Sequence, residues 1–220
     1  MTALSLLRDA WYFVRRHAVR LALLCLPLLL LESLARNLLA PHLGDWQASA
    51  DLLAGLLFYP IYGAALILYL DTRSRGLAPG LAALLAMALR LWPSLALLTA
   101  LSSLLILLGA SLFILPGLWL MVRLAFADFL VVLQGFTPLA ALGDSMALTR
   151  GQFWRLFTVV MAVMLPLWWL EASLLEWLGE SDLLPRLLLE SLIGFAQLFA
   201  MVALYRGFML TTQGPITDTP

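Results

Sequence analysis

The chain has 220 residues, of which 63% are hydrophobic and 12% charged, and its thirteen arginines balance thirteen acids to a formal net charge of zero, without a single lysine. A soluble domain is about 45–50% apolar and about 25% charged, so this composition points to hydrocarbon rather than water as the main solvent. The neutral balance argues against a nucleic-acid partner; Cys25 lies inside an apolar run, and His17 and His42 have no ligand-spaced companions, so neither a metal nor a cofactor is expected.

The first element is an amphipathic helix. At about 100° per residue, Leu7, Ala10, Trp11, Val14 and Ala18 share one side, and Arg8, Asp9, Arg15, Arg16 and Arg20 the other. Such a helix lies flat at a headgroup layer. Its arginines read as an anchor on the positively charged side of a membrane. More sharply, with Arg90, Arg150 and Arg155 farther along, they read as a face for anionic phospholipid headgroups.

Crossing a bilayer core of about 30 Å takes about 20 mostly apolar residues. Six stretches qualify, roughly 21–40, 51–70, 92–111, 115–133, 156–178 and 187–207. They carry Pro27, Pro60, Pro93, Pro116 and Pro166, which lipid-embedded helices tolerate. The run Leu21–Leu31 before Ser33-Leu34-Ala35 has the shape of a signal-peptide core, but the long amphipathic leader and Glu32 favour an uncleaved span. In the second span, Tyr59-Pro60 and Tyr62-Gly63 suggest a kink packed against a neighbour, with a pore lining as the alternative. Spans three and four are joined by the short Ser111–Gly117 turn, a tight hairpin that Pro116 is placed to reopen. The expected fold class is therefore all-α: one integral membrane domain over 1–210, a polytopic bundle of six transmembrane helices. The polar tail Thr211–Pro220 reads as disordered.

The spans also suggest one unit used three times, an interfacial amphipathic helix followed by a two-span hairpin. Asp9, Arg15 and Arg20 align without gaps on Asp144, Arg150 and Arg155. A Gly-x-x-Pro pattern recurs at Gly76–Pro79 and Gly135–Pro138, and Trp11, Trp92 and Trp154 fall near one boundary. Arginine placement orients the chain. Arg8, Arg15, Arg16, Arg20, Arg73, Arg75, Arg90, Arg150, Arg155 and Arg206 fall on one side, against Arg36 and Arg186 on the other. That second side collects Asp45, Asp51, Glu176, Glu180 and Asp182. Both termini are expected in the cytoplasm of a bacterium, with the spans in its inner membrane.

Pro116-Gly117 opens a span ending in Leu133-Gln134, and the next helix closes with Ser145, Leu148, Thr149 and Gly151 before Phe153-Trp154. Joined at this spacing, these residues resemble the YciC-type family of bacterial inner-membrane proteins and the related membrane domain fused to some glycerophosphodiester phosphodiesterases. The resemblance is detailed over about a fifth of the chain. It implies a six-helix inner-membrane fold without an assigned activity, and the phosphodiesterase chemistry belongs to a separate soluble domain. Arg123 and Asp128 stand where the family pattern is apolar or Pro, so a role for them would be particular to this chain.

Ionisable groups at membrane depth cost about 2.5–3.5 kcal/mol each on insertion scales, so each needs a partner or a purpose. Counting about 1.5 Å per residue, Glu32, Arg123 and Glu171 lie at a similar depth, roughly 10–12 Å below the outer surface. Two arrangements are open: Arg123 pairs with Glu171 or Glu32 inside the bundle, or Glu32 pairs with Arg36 at i,i+4 while Arg123 snorkels. Asp128 lies about 140° around the helix from Arg123, and it reads as hydrated from the cytoplasmic interface or as a proton or substrate group. Glu190 is expected to reach water within a turn of the outer boundary, and Gln197 to make one interhelical hydrogen bond.

Three function classes compete. A non-enzymatic protein binding lipid or membrane-protein partners in envelope maintenance fits the interfacial helices and small loops. A small transporter or channel would use the Arg123/Glu171/Glu32 group, though no Gly-interrupted half-helices mark a substrate site. An embedded enzyme would need a nucleophile–base pair or a zinc motif, and no such motif is present, so no catalytic residue is assigned. The orientation is testable: a reporter fused after Pro220 is expected to be active in the cytoplasmic compartment, and activity in the periplasm would reverse it.

Overall fold

In the computed structural model, the structure describes residues 2–43, 47–178 and 183–212. Asp45, Glu180 and Asp182 of the acid-rich side, and the tail beyond Thr212, lie outside the described residues. The elements in order are α1 (Ala3–Leu43), α2 (Gln47–Ser74), α3 (Leu81–Leu112), α4 (Ile114–Arg123), α5 (Ala127–Gln134) and α6 (Pro138–Leu148). A 3-10 turn (Arg150–Gln152), α7 (Phe153–Leu178) and α8 (Leu183–Thr212) complete the chain. Among the described residues there is no strand. Six helical segments are long and apolar enough to cross a membrane, with α4 and α5 together making one of them. In hydrocarbon every backbone N–H and C=O must find its partner within the chain, so the Leu- and Ala-rich segments become helices.

Each long helix packs on its neighbours in a ring. α1 lies against α2 and α8, α3 against α2 and α4, and α7 against α8 and, more lightly, α4. Large apolar side chains face outward all round this ring, including Leu97, Leu104 and Leu107 on α3 and Leu165 and Leu170 on α7. Exposed Trp11 and Trp154 sit toward one end and Trp177 toward the other, as indoles do at the two faces of a bilayer.

The leading amphipathic segment is not a separate element. Residues 3–43 form one helix, because no Gly or Pro interrupts the stretch between Ala3 and Leu26. Leu6 and Ala10 are buried against the bundle, while Arg8, Arg15, Arg16 and Arg20 are exposed. In the second connection the segment before Trp92 likewise runs on into α3, whereas α6 in the third is a separate short helix.

The Gly-x-x-Pro pattern has a local cause. Gly76 and Gly135 take φ of 77° and 70°, the left-handed conformation in which glycine ends a helix without a Cβ clash. At Gly135 the turn closes with Gly135 N–H to Val131 O at 3.2 Å and Phe136 N–H to Leu130 O at 3.3 Å, and Pro138 then starts α6.

Phe113 alone separates α3 from α4, so the two helices fold back tightly. Small residues permit this approach: a Cβ on Gly109 would stand 3.1 Å from the Gly117 nitrogen, and one on Gly117 would stand 2.9 Å from the Ala110 Cβ. Gly109→Val is therefore expected to destabilise the protein by about 1–3 kcal/mol, read as a lower unfolding temperature in detergent. Gly143→Ala, whose Cβ would meet open space, is expected to leave it unchanged or slightly raised.

Candidate functional site

The fourth span, expected over 115–133, is one apolar segment made of two helical pieces, α4 and α5. The helix breaks at Leu124–Phe126, where Ala125 N–H reaches Val122 O at 3.3 Å and Ala127 N–H reaches Leu124 O at 3.0 Å, both i→i−3. Leu124 (φ −92°, ψ 0°) and Phe126 (φ −99°, ψ −3°) fall in the sparsely occupied bridge region. Backbone groups freed by such a break must be satisfied inside the protein. The Ser145 hydroxyl of α6 donates to the Arg123 carbonyl at 2.8 Å and accepts the Phe126 N–H at 3.1 Å. Thr149 donates to the Ser145 carbonyl at 2.8 Å, with its hydroxyl 3.2 Å from that same Arg123 carbonyl. Both hydroxyl residues are fully buried. The Ser-x-x-Leu-Thr pattern thus splints the broken span.

Beyond the break, α5 lies inside the ring and closes it at the arginine-rich end. Phe126 and Phe129 pack on Phe208, with ring centroids 5.5 and 5.3 Å apart, and Phe129 also meets Tyr205. Above this floor the six spans line a partly open chamber of about 540 Å³. Its lining follows helical periodicity on each wall. Leu29, Glu32, Ser33 and Arg36 come from α1; Asp51, Gly55, Tyr59 and Tyr62 from α2; Thr99, Ser102, Ser103 and Ile106 from α3. Val160, Met164, Trp168 and Glu171 come from α7, and Glu190, Gly194, Gln197 and Met201 from α8, while Leu124, Ala125, Asp128 and Phe129 form the floor.

Three of the four expected intramembrane charges meet here: Glu32, Glu171 and Asp128. Arg123 does not. It is buried outside the chamber, its guanidinium 5.3 Å from the Trp119 ring centroid, its Nε without a hydrogen bond and its charged neighbour Arg150. Among the described residues no ion pair joins it to Glu171 or Glu32. Depth alone was counted in the sequence, and depth is silent on azimuth. Met121, Leu124 and Ala125 face the chamber, and Arg123, about 100° from Leu124 and 200° from Met121, faces away.

The chamber's cation is instead Arg36, which pairs with Glu32 Oε1 at 3.3 Å and with Asp51 Oδ1 at 3.1 Å. Glu190, expected near water, is buried. It pairs with Arg186 at 3.0 Å, accepts from Asn37 at 3.1 Å and is bonded by the Ser33 hydroxyl. α1 and α8 are thereby latched at the acid-rich end. Asp128 accepts a 2.7 Å hydrogen bond from Tyr59, so the aspartate is tied to the second span rather than to the cytoplasmic interface. Tyr62 stands beside Glu32.

Several polar groups on the walls lack partners. The Thr99 Oγ1 atom is buried without a hydrogen bond, and the Glu32 Oε2 atom has none beyond the contact of its carboxyl with Tyr62. Neither Glu171 nor Gln197 makes an ion pair or hydrogen bond among the described residues, so the interhelical bond expected of Gln197 is not formed. Unpaired polar groups at this depth call for a polar occupant, since each left unsatisfied costs about 1–3 kcal/mol. Sequence reasoning missed Thr99, Ser102 and Ser103. Their spacing of i, i+3 and i+4 in a Leu-rich span was the available signal.

Of the expected headgroup arginines, Arg8, Arg15, Arg16, Arg20, Arg90 and Arg150 are exposed, and Arg155 is half-buried with an unpaired Nε. Thr211 and Thr212, expected in a disordered tail, belong to α8, and Thr211 accepts from Gln152; the rest of that tail lies outside the described residues. No family model, curated protein or solved structure matches the chain.

The splint makes a defined demand. Ser145→Ala leaves the Phe126 N–H without its acceptor and the Arg123 carbonyl without its shorter bond, and is expected to cost about 1–3 kcal/mol. Thr149→Val, which leaves Ser145 in place, is expected to cost less. Equal unfolding temperatures for Ser145→Ala and the parent in detergent would remove the splint.

Proposed function

We propose that this chain is a non-enzymatic membrane protein that takes a small amphipathic cation into the chamber between its six spans, as a small transporter or solute-binding protein. The observation that carries the reading is the lining: of its five carboxyl groups, Glu32 and Asp51 are answered by Arg36 and Glu190 by Arg186, which leaves Asp128 and Glu171 without an ion pair in a space of about 540 Å³. That volume falls in the range of about 300–1,000 Å³ usual for small-molecule sites. Charges are scarce in membrane spans, and those facing an internal cavity mark solute or ion pathways. Trp168, Met164 and Met201 offer the apolar part of a ligand aromatic and adaptable surface. The broken fourth span places Asp128 on the floor, and discontinuous helices at mid-membrane are where transporters hold their substrates.

The spans form three hairpins in a bacterial inner membrane with both termini in the cytoplasm, so the chamber's Arg36–Asp51 end faces the periplasm. The resemblance to YciC-type proteins fits a six-helix membrane fold in which Ser145 and Thr149 have a structural duty.

Tetraphenylphosphonium and tetraphenylborate, of equal shape and opposite charge, separate the electrostatic claim from simple partition. The phosphonium is expected to bind the purified protein saturably, and the borate not to. Glu171→Gln with Asp128→Asn is expected to weaken the phosphonium at least tenfold, about 1.4 kcal/mol. Equal binding of both ions, or an unchanged Kd in the double variant, would defeat the proposal.

A further inference from the structure

A second concave site lies at the opposite end of the molecule, away from the chamber. α1, α2 and α8 bound a cleft of about 660 Å³ that contains Arg8, Arg16, Arg73 and Arg206 and a single acid, Asp9. Arg8 and Arg16 share one face of α1, and the packing of α1 on α2 and α8 brings Arg73 and Arg206 to them.

Their hydrogen-bonding capacity is largely unspent. Arg206 contacts Asp9 at 3.5 Å, and Arg16 reaches the Tyr12 hydroxyl at 3.4 Å. Arg73 donates to the Leu77 carbonyl at 3.3 Å and lies 3.1 Å from His17 Nε2. His17 in turn stands 3.0 Å from the Phe13 carbonyl through Nδ1, and the tautomer that satisfies both contacts is the one that donates from Nδ1 and accepts at Nε2. This contact orients the Arg73 guanidinium without neutralising it. Its Nε is buried and has no hydrogen-bond partner. Four guanidiniums offer about twenty N–H donors in all, and the cleft's one carboxylate answers few of them.

The missing complement is an oxyanion with several acceptor oxygens. A guanidinium fork matches phosphate oxygens in pairs, and basic pockets between spans are where phospholipid headgroups are held. The walls favour a phosphate that carries hydrocarbon. Ala10, Phe13, Leu70 and Val202 line the cleft, a surface that the first part of an acyl chain can follow. We propose that this cleft binds the phosphate of an anionic phospholipid, with Arg16 and Arg73 as its principal donors. The site differs from a general arginine face, because Arg15, Arg20, Arg90, Arg150 and Arg155 lie outside it.

Native mass spectrometry of the full chain in detergent, with phosphatidylglycerol or phosphatidylcholine added, tests this directly. Phosphatidylglycerol is expected to be retained preferentially. Arg16→Gln with Arg73→Gln should reduce its retention at least tenfold, and Arg90→Gln should leave it unchanged. Arg16 is exposed, so Arg16→Gln alone, with an expected loss of severalfold, keeps the test readable if the double variant does not fold. Equal retention of the two lipids, or an equal loss in Arg90→Gln, would overturn the proposal. Displacement of phosphatidylglycerol by millimolar inorganic phosphate would also overturn it, by making a free anion the ligand. The chamber is untouched by these substitutions, so phosphonium binding should survive them.

Discussion

The arrangement of this molecule turns on two buried hydroxyl groups. A helix that breaks in hydrocarbon exposes backbone donors and acceptors with no water to receive them, and such a break survives only where side chains take over. Ser145, supported by Thr149, does so at Leu124–Phe126. Because the break is satisfied, the chain can turn α5 into the ring instead of running straight out of it. Phe126 and Phe129 then meet Phe208, and the ring acquires a floor. Without that floor, Asp128 would have no reason to meet Tyr59, and the six helices would enclose a channel or collapse on one another.

Charge is sorted along the axis of the bundle. Toward the α1–α2 connection, Arg36 is flanked by Glu32 and Asp51, and Glu190 ties α1 to α8 through Ser33 and Asn37. Toward the termini, arginines from α1, α2 and α8 surround Asp9. The two ends therefore differ in the charge of their lining, with most of the carboxylates in the chamber and guanidiniums in the cleft. In a medium of low dielectric these charges act over longer distances than they would in water. Apolar side chains, which would hold a soluble core together, contribute little to association between helices in lipid. Close approach of small residues, as at Gly109, Ala110 and Gly117, carries that load.

The candidate site was legible in part. Glu32, Glu171 and Asp128 stood out because ionisable groups are costly in a span, and all three line the chamber. Arg123 stood out for the same reason and points elsewhere, onto Trp119. The difference is one of azimuth: a helix carries its residues at about 100° intervals, and the face that looks inward depends on neighbours that no depth count contains. Thr99, Ser102 and Ser103 passed unnoticed because hydroxyls cost little on hydropathy scales, although their spacing marks one face. Glu190 misled for the opposite reason. Its nearness to a span end suggested water, while Ser33 and Asn37 were waiting on another helix.

The amino-acid sequence by itself determined the helical class, the six apolar segments and the uneven distribution of arginine. These follow from length, composition and local chemistry, which act residue by residue. It determined the glycine stops at Gly76 and Gly135 as well, since a left-handed turn is a local requirement. Only the tertiary structure decided that α1 carries on through Pro27 and Pro41 to Leu43, that the fourth span breaks, and that arginines from three helices share a cleft. Those outcomes depend on which side chain lies across from which. A serine that could cap, bend or merely face lipid became a splint because α6 folds back beneath the span it supports.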